Sequence, residues 1–334
     1  MSRRSRQEFP QVLLLASRYD LACDYVIAHL RRKSITYLRL NSEDFSNSAV
    51  HLDPIRRRLV IERGEHCYCV TPQRLSSVLF RRPVFLRDYG EDHRSLGERF
   101  SRFQWAAFVR NLMLFEDALW INNPTATYKA EHKAVQLSVA SNIGFDVPET
   151  RVTNSPCPHL LGKRCDCLAI KGLDTVLLRD NGQEIFGFTT FESSRRLQPD
   201  VWRSAPATIQ AALTNKLDIR VTVIGNRVFA ASITVDGNPV SEDWRRYKGD
   251  AQFHNFDLPR EIAERCRMLV KSLGLVFGAI DLALCDDKYY FLEVNPTGEW
   301  AWLVDSAGLP IDEAIADTLS VEVPDCVSSV YKKC

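Results

Sequence analysis

The stretch that most constrains the fold lies near the carboxyl end, where "FGAIDLALCDDKYYFLEVNP" occupies residues 277–296. Two apolar segments flank Asp286 and Asp287, residues common in tight turns, so the stretch predicts an antiparallel hairpin. Alternation in its second strand places Glu293 and Asn295 on one face, which Val294 avoids. One choice of register adds Asp281 to that face, about 5 Å from its opposed neighbour. The hairpin therefore predicts three oxygen donors near a common point.

The chemistry of these donors indicates which ligand they would bind. Two carboxylates and an amide, with no histidine or thiolate nearby in the sequence, suit Mg²⁺ rather than Zn²⁺. Mg²⁺ held by few protein ligands usually also binds phosphate oxygens. We therefore interpret Asp281, Glu293 and Asn295 as candidate ligands of a metal that accompanies a nucleotide. A solvated, acidic strand end is the alternative that these residues alone leave open.

Several cationic residues are candidates for contacting the phosphates. Lys171 ends the short apolar strand "CLAIK", where its ammonium would meet either phosphate oxygens or solvent. Lys133 lies on one face of the helix predicted before that strand, although surface lysines on helices are common. Arg220 shares a strand face with Asp218, so a salt bridge between them is the simpler interpretation. Arg245 lies in "DWRRY", a predicted loop, and loops often carry binding residues.

Length and composition exclude several classes of protein. The chain has 334 residues, of which 45% are hydrophobic and 25% charged, as expected for a globular protein with two or three domains. A net charge of +1 favours neither nucleic acid nor membrane as a partner. The apolar run at residues 12–16 is too short for a signal peptide, and no run approaches the roughly 18 residues of a membrane span. These features predict a cytoplasmic protein with no nucleic-acid or membrane partner.

The order of predicted elements indicates an α/β chain. Residues 11–40 are predicted to form a strand, a helix and a strand, which is a parallel βαβ unit. Neither "GxGxxG" nor "GxxxxGK[ST]" occurs, so the common glycine-rich nucleotide loops are absent from the sequence. Residues 96–121 are predicted to be mostly helical, with their aromatic side chains in the core. A further helix is predicted to end at Gly144.

The ten cysteines form no regular framework, which predicts reduced thiols. One cluster, "CPHLLGKRCDC", contains Cys157, His159, Cys165 and Cys167. These residue types could bind zinc, but neither cysteine pair has the usual gap of two to four residues between ligands. The cluster therefore predicts a reduced surface hairpin.

The ordered set of motifs resembles the ATP-grasp ligases, and more narrowly the microviridin-type ligases that mature graspetides, which are macrocyclic peptides of ribosomal origin. The motifs that carry the resemblance are, in chain order, "LRLNSEDF", "LFRRP", "AEHKAVQLSVASNIGFDVPETRVTN", "DIRVTVIGNRVFAASI", "DWRRY", "GLVFGAIDL" and "YYFLEVNPTGEWAWL". "LEVNP" alone indicates the broad superfamily, whereas "RRP" with "DWRRY" and "NPTGEWAW" is more specific. The resemblance implies an ATP-grasp fold of α/β (α+β) class, in which a pre-ATP-grasp βαβ domain (1–125) precedes a central subdomain (126–205) and a C-terminal subdomain (206–334) that sandwich ATP.

The resemblance also implies a cofactor site for ATP and Mg²⁺. It assigns the metal to Asp281, Glu293 and Asn295, and the ATP phosphates to Lys133 and Lys171. It further implies an adenine hinge from Gln210 to Leu213, which includes Ala212. Asp218 would be the acid that binds the ribose. It places Arg220 beside the transferred phosphate and Arg245 at the acyl phosphate or acidic substrate. The "RRP" stretch receives no role beyond folding the first domain.

The activity implied by the resemblance is ATP-dependent ligation. An Asp or Glu side chain of a precursor peptide, which consists of a leader and a core, would become an acyl phosphate. A Ser, Thr or Lys of the same peptide would then close an ester or amide ring, and the enzyme could be a homodimer. One alternative is a ligase that adds an amino acid to a peptide or protein end. Another is a peptide-binding module with a decayed nucleotide site, suggested by "QAAL" at the hinge and by the glycine-poor segment after Lys171.

Overall fold

A computed structural model describes residues 6–81, 95–155, 161, 167–174, 177–180, 183–186, 189–193, 203–247 and 249–321. Most of the predicted cysteine cluster, namely Cys157, His159 and Cys165, lies outside these residues. Asn181 and Gly182, a dipeptide that predicts the turn of a hairpin, also lie outside them. No helix within the described ranges is long and apolar enough to cross a membrane.

The described part of the chain alternates between strands and helices. The strands are β1 Arg6–Glu8, β2 Val12–Ala16, β3 Tyr37–Asn41, β4 Ala49–Asp53, β5 Arg58–Arg63, β6 His66–Val70, β7 Ser77–Phe80, β8 Leu119–Ile121, β9 Thr150–Thr153, β10 Cys167–Lys171, β11 Leu177–Asp180, β12 Gln183–Phe186, β13 Thr190–Ser193, β14 Ala207–Ala211, β15 Leu217–Ile224, β16 Arg227–Val235, β17 Ala251–Asn255, β18 Phe277–Cys285 and β19 Lys288–Asn295. The α-helices are α1 Leu21–Arg32, α2 Leu96–Asn111, α3 Pro124–Ala130, α4 Lys133–Ile143, α5 Arg260–Ser272, α6 Ala301–Ala307 and α7 Ile311–Leu319. Short 3₁₀ helices span Ser42–Asn47, Leu112–Leu114 and Trp244–Tyr247.

The N-terminal part is built on a parallel sheet with strand order β3-β2-β7-β8, which confirms the predicted βαβ start. Its central strand β2 is buried on both faces, as its continuous apolar run predicts. Leu13 and Leu15 pack towards a core shared with α2 and a second sheet of order β1-β6-β5-β4. Val12 and Leu14 pack towards α1 and the C-terminal helices. The parallel sheet is therefore fixed directly against the carboxyl-terminal part of the chain.

The carboxyl-terminal part contains an antiparallel sheet with strand order β17-β16-β15-β18-β19. In β15 the side chains of Ile219, Val221 and Val223 enter a core with α4 and α5. Asp218 and Arg220 alternate with them and lie on the opposite face, as predicted. This sheet therefore has one apolar face and one face that carries charged groups.

The predicted hairpin is formed by β18 and β19, with Asp286 and Asp287 at its turn in left-handed conformation. Asp281 pairs with Glu293, but Leu282 pairs with Phe291, so Leu292 is an extra residue in β19. This β-bulge explains why Phe291 and Glu293, two apart in sequence, lie on different faces. Phe291 enters the core, whereas Leu292 and Glu293 face a cleft.

A central antiparallel sheet with strand order β13-β10-β14-β9 lies across the cleft from the charged face of the C-terminal sheet. β11 and β12 pair as a separate hairpin. The strand predicted at "CLAIK" is β10, which pairs with both β13 and β14. The central sheet and the C-terminal sheet supply the two walls of the cleft described below.

The helical regions differ from the predictions in three details. Residues 96–121 are mostly helical, as predicted, over Leu96–Asn111 and the 3₁₀ helix Leu112–Leu114, but Leu119–Ile121 joins the parallel sheet because its apolar run is buried there. Two aromatic residues of α2 predicted in the core, Phe100 and Phe103, are 63% and 62% exposed. The helix before Gly144 is also interrupted, since α3 and α4 are separate; Gly144 itself ends α4 with a positive φ, as predicted.

Candidate functional site

The cleft between the central and C-terminal sheets has a volume of about 640 Å³, including space open to solvent. Most of the residues that the sequence singled out line it, namely Lys171, Gln210, Leu213, Asp218, Arg245, Asp281 and Glu293. An apolar wall accompanies them, to which Ala169, Phe191, Ile233, Trp244, Leu282 and Leu292 contribute. The structure thus brings charged groups from four separate parts of the chain to one apolar-walled cleft.

Glu293 is the centre of the charge cluster. Its carboxylate lies 3.3 Å from Nη1 of Arg245 and 3.7 Å from Nζ of Lys133. Burial raises the pKa of this carboxyl, but the positive charges of Arg245, Lys133 and Lys171 outweigh burial and lower its pKa to about 2. Glu293 is therefore ionised at neutral pH and balances cations that three other elements supply.

Asp281 and Arg220 form the second charged pair. They lie directly opposite each other on β18 and β15, and Nη1 of Arg220 donates to Asp281 at 2.7 Å. The structure therefore pairs Arg220 with Asp281, and not with Asp218 as the simpler sequence interpretation held. Nη2 of Arg220 also lies 3.4 Å from the carbonyl oxygen of Glu299, so the guanidinium is held from two sides. Asp281 and its neighbour Glu293 both face the cleft, as the predicted register required.

Asn295 lies on the same edge but is exposed, and it opposes Ala279 on β18. Its Oδ1 accepts a hydrogen bond from the backbone N–H of Thr297 at 3.2 Å, which turns the chain after Pro296. Among the described residues, no cluster of three His, Cys, Asp or Glu side chains is arranged to hold a metal. The donor set proposed here contains two carboxylates and one amide, and this all-oxygen set fits Mg²⁺, which usually keeps several waters.

Lys171, Gln210 and Thr150 lie on one face of the central sheet, on the neighbouring strands β10, β14 and β9. Nζ of Lys171 donates to Oε1 of Gln210 at 3.0 Å, and Nε2 of Gln210 donates to Oγ1 of Thr150 at 2.9 Å. Burial lowers the pKa of Lys171, with the nearby Glu293 acting in the opposite direction. A buried ammonium that shares one carboxylate with other cations is suited to meet a polyanion.

The predicted adenine hinge, from Gln210 to Leu213, spans the end of β14. The backbone N–H of Ala212 donates to the carbonyl of Cys167 at 3.2 Å, so Ala212 extends the pairing with β10 beyond the last residue of β14. Gln210 and Leu213 line the cleft on either side of it. Lys133 lies at the start of α4. Its Nζ is close to Glu293, which lines the cleft, and lies 3.4 Å from the carbonyl oxygen of Gly172.

Asp218 is buried and forms an ion pair with Lys216, a residue that sequence reasoning missed. Burial raises the pKa of Asp218 to about 6, although the Lys216 ammonium acts in the opposite direction. Nζ of Lys216 also lies 3.3 Å from the carbonyl oxygens of Val240 and Glu242. Lys216 precedes Asp218 by two residues, so strand alternation could have placed both on one face.

Arg245 is oriented by Asp243, a second residue that the sequence analysis did not identify. Oδ1 of Asp243 accepts from the backbone N–H of Arg245 at 3.1 Å and from its Nε at 2.9 Å. Burial lowers the pKa of Arg245, but the carboxylates of Glu293, Asp281 and Asp243 outweigh it and raise the pKa. Arg245 lies in the 3₁₀ helix Trp244–Tyr247 and not in an irregular loop.

Two buried amides hold the β18–β19 hairpin in place, and sequence reasoning missed both. Asn122 accepts from the N–H groups of Val276 and Phe277 and donates to the carbonyls of Phe277 and Pro296, all within 2.9 Å. Gln136 accepts from the N–H of Val294 at 3.0 Å and donates to its carbonyl at 2.8 Å. These side chains satisfy backbone groups on both sides of Asn295 and at the start of β18.

Comparison with solved structures identifies the fold. A Chryseobacterium gregarium RiPP-associated ATP-grasp ligase, solved with ADP and a leader and core peptide, is 22% identical with a TM-score of 0.79, covering 93% of this chain and 96% of that one. The macrocyclase MdnC of Microcystis aeruginosa MRC, bound to precursor peptide MdnA, is 24% identical with a TM-score of 0.75, covering 92% and 99%. The ATP-grasp ligase PsnB, complexed with a phosphomimetic variant of its minimal precursor, Mg and ADP, is 19% identical with a TM-score of 0.70, covering 93% and 97%.

No protein-family model and no curated protein sequence matches the chain. The likeness to these three structures, two of which are ATP-grasp ligases, spans nearly the whole of each chain, so the protein has the ATP-grasp fold that the sequence motifs implied.

Proposed function

We propose that the protein is an ADP-forming ligase that uses ATP to activate carboxyl side chains of a precursor peptide and close ester or amide macrocycles. The observation that carries this proposal is the cleft in which Glu293 balances Lys133, Lys171 and Arg245 beside the pair Arg220–Asp281. Such a site can exchange its internal ion pairs for the charges of a nucleotide triphosphate and a divalent cation. Structures with this fold have been solved with ADP, Mg and precursor peptides, which supports the same chemistry here.

The nucleotide would occupy the cleft with its base against the apolar wall. Gln210, Ala212 and Leu213 would line the base, and the ionised Asp218 would accept hydrogen bonds from ribose hydroxyls. Lys133 and Lys171 would contact phosphate oxygens, which releases them from Glu293. Asp281, Glu293 and Asn295 would hold Mg²⁺, which supplies positive charge against the phosphate oxygens.

The two arginines would act on the groups that react. A carboxylate oxygen of the peptide attacks the terminal phosphorus of ATP, so ADP leaves and an acyl phosphate forms. Arg220 lies next to Asp281 and would stabilise the charge on the transferred phosphoryl group. Arg245, oriented by Asp243, would hold the acyl phosphate in place. A hydroxyl or amine of the peptide then attacks the acyl carbon, and inorganic phosphate leaves.

The substrate would be a ribosomally made peptide with a leader and a core. This part of the proposal rests on the solved ligases of the same fold, which are described as complexes with leader and core or precursor peptides. We also propose a soluble, cytoplasmic enzyme that acts without nucleic acid, and the homodimer remains part of this proposal.

Mass spectrometry of a candidate precursor peptide, sought among the genes beside the one for this protein, tests the function. After incubation with the enzyme, ATP and Mg²⁺, we expect the peptide to lose one water per ring while ADP is released. A gain of amino-acid mass would instead identify a ligase that adds amino acids to a chain end. Absence of both ADP release and Mg²⁺-dependent nucleotide binding would support the non-catalytic peptide-binding module.

Glu293→Gln tests the site itself. We expect this variant to lose turnover and Mg²⁺-dependent ADP binding, because it removes a proposed metal ligand and the charge that orders three cations. Glu264→Gln is the matched control, since Glu264 lies on α5 with its side chain 56% exposed and pairs only with Arg267 in the described structure. Full activity in Glu293→Gln would refute the metal assignment.

A further inference from the structure

Arg81 directly follows β7, in the "RRP" stretch that received no role beyond folding the first domain, and its side chain is only 5% exposed. Its Nη1 donates to the carbonyl oxygens of Thr297 and Gly298 at 3.1 and 3.2 Å. Its Nη2 donates to Oε2 of Glu299 at 2.6 Å. One buried guanidinium from the N-terminal sheet therefore contacts three successive residues of the loop that follows Asn295.

The other side of this loop touches the candidate metal and phosphate site. A Cβ placed on Gly298 would lie 2.5 Å from Cβ of Ala279 and 3.3 Å from both Nη2 of Arg220 and Cβ of Asn295. The loop is therefore in close contact with β18, Arg220 and Asn295, with no room for a side chain at Gly298. Arg81 on one side and these residues on the other confine the loop between them.

The loop also sets the orientation of two proposed site residues. The N–H of Thr297 donates to Oδ1 of Asn295, and the carbonyl of Glu299 accepts from Nη2 of Arg220. Both groups therefore depend on where the backbone at 297–299 lies. Arg81 holds that backbone in place by binding the carbonyl oxygens of Thr297 and Gly298 and the carboxylate of Glu299.

We propose that Arg81 is a positioning residue for the metal and phosphate site, acting through the loop 297–299 on Asn295 and Arg220. This inference rests on the nucleotide site proposed above. Its chemical requirement is a planar guanidinium, since a lysine ammonium cannot serve two carbonyls and a carboxylate with the same geometry. Residues that orient metal ligands without touching the metal typically change metal affinity by about 10- to 100-fold when replaced.

The experiment measures ADP affinity by calorimetry with Mg²⁺ and with a chelator, in the wild-type protein and in Arg81→Lys. We expect Arg81→Lys to weaken Mg²⁺–ADP binding by about tenfold or more, with little change in metal-free ADP binding. Wild-type protein that fails to bind Mg²⁺–ADP would refute the proposed function itself. Wild-type binding with an unchanged Mg²⁺ dependence in Arg81→Lys would overturn only the present inference.

Arg39→Lys is the matched control for a loss of stability. Arg39 is another poorly exposed arginine of the N-terminal sheet that donates to two carbonyls, those of Ser17 and Asp20, but all its contacts lie within the N-terminal part. We expect Arg39→Lys to leave the Mg²⁺ dependence unchanged. An equal loss in Arg39→Lys would show that general destabilisation explains both variants and would overturn the inference.

Glu299→Ala keeps the proposal testable if Arg81→Lys does not fold. The Glu299 side chain is 62% exposed, so its removal leaves the core intact while it deletes the carboxylate that Arg81 holds. We expect a smaller loss of Mg²⁺-dependent binding, about threefold or more, because the two carbonyl contacts of Arg81 remain. Unchanged Mg²⁺ dependence in Glu299→Ala, together with an unfolded Arg81→Lys, would assign Arg81 a purely structural role.

Discussion

At the scale of single residues, burial and neighbouring charge decide what each carboxylate can do. Glu293 and Asp218 line the same cleft, yet the pKa of Glu293 is lowered to about 2 and that of Asp218 is raised to about 6. Burial acts in the same direction on both. Four cations around Glu293, namely Arg245, Lys133, Lys171 and Arg220, outweigh burial. Among the described residues, Lys216 is the cation that lowers the pKa of Asp218, which is also close to the negative charges of Asp281 and Asp243.

The raised pKa of Asp218 predicts a pH dependence of nucleotide binding. Above pH 6 the carboxylate is ionised and accepts hydrogen bonds from hydroxyls, whereas below pH 6 it is protonated and loses part of that capacity. We expect ADP affinity to fall as the pH decreases from 7 to 5.

Asp218→Asn separates this effect from the titration of the ADP phosphates, which both proteins share. The variant should bind ADP more weakly at pH 7 and lack the component of pH dependence near pH 6. Calorimetric titrations of the two proteins across this range provide the measurement. Parallel pH profiles would contradict the role assigned to Asp218.

At the scale of secondary-structure elements, the position of the β18–β19 hairpin depends on side chains from outside it. Its two strands and turn follow from alternation and from Asp286–Asp287, and they could be predicted from the sequence. The bulge at Leu292 could not, because a regular strand would have placed Phe291 and Glu293 on one face. The bulge is favoured because, with Leu292 as the extra residue, Phe291 packs against Phe145 and the rest of the core while Glu293 faces the cleft.

Gln136→Leu tests how strongly the hairpin is held. The substitution leaves the N–H and C=O of Val294, and the C=O of Ala130, without their buried partner. We expect the free energy of unfolding to fall by about 2–4 kcal/mol, measured by urea denaturation. Gln104→Leu on the exposed face of α2 is the control and should change stability by less than about 0.5 kcal/mol. Equal values for both variants would argue against a structural role for the Gln136 amide.

At the scale of the whole molecule, α1 joins the N-terminal sheet to the C-terminal helices. Three polar residues spaced by four, Tyr25, His29 and Lys33, contact the carboxylates of Asp305, Asp312 and Asp317 respectively. The spacing places all three on one face of α1. Together with Arg81, they connect the two ends of the chain, and the candidate site lies on the C-terminal side of this connection.

His29→Ala tests this interface. Asp312 is 8% exposed, so loss of its 2.8 Å contact to His29 leaves a buried carboxylate without that partner. We expect a decrease in the free energy of unfolding of about 1–3 kcal/mol. Lys33→Ala should cost less than about 1 kcal/mol, because the Lys33 side chain is 40% exposed and Asp317 also pairs with Arg227. Chemical denaturation of both variants provides the comparison, and a larger effect from Lys33→Ala would contradict it.

The sequence by itself determined the elements whose character depends on near neighbours. The alternation of β15 and β18 separates core side chains from Asp218, Arg220 and Asp281, and the apolar run of β2 predicts burial on both faces. These patterns arise within a few residues, so they can be recognised without a structure. The motifs in their order added the fold, which the solved ATP-grasp ligases confirm.

Only the tertiary structure decided which distant side chains meet. Arg81 lies 216 to 218 residues from the groups of Thr297, Gly298 and Glu299 that it binds, and Gln136 lies 158 residues from Val294. Phe100 and Phe103 are exposed although their type suggested the core, because the sheet beneath α2 meets a different face of the helix. Such contacts depend on how whole elements pack, and the free energy that selects them comes from burial and hydrogen bonding across the fold.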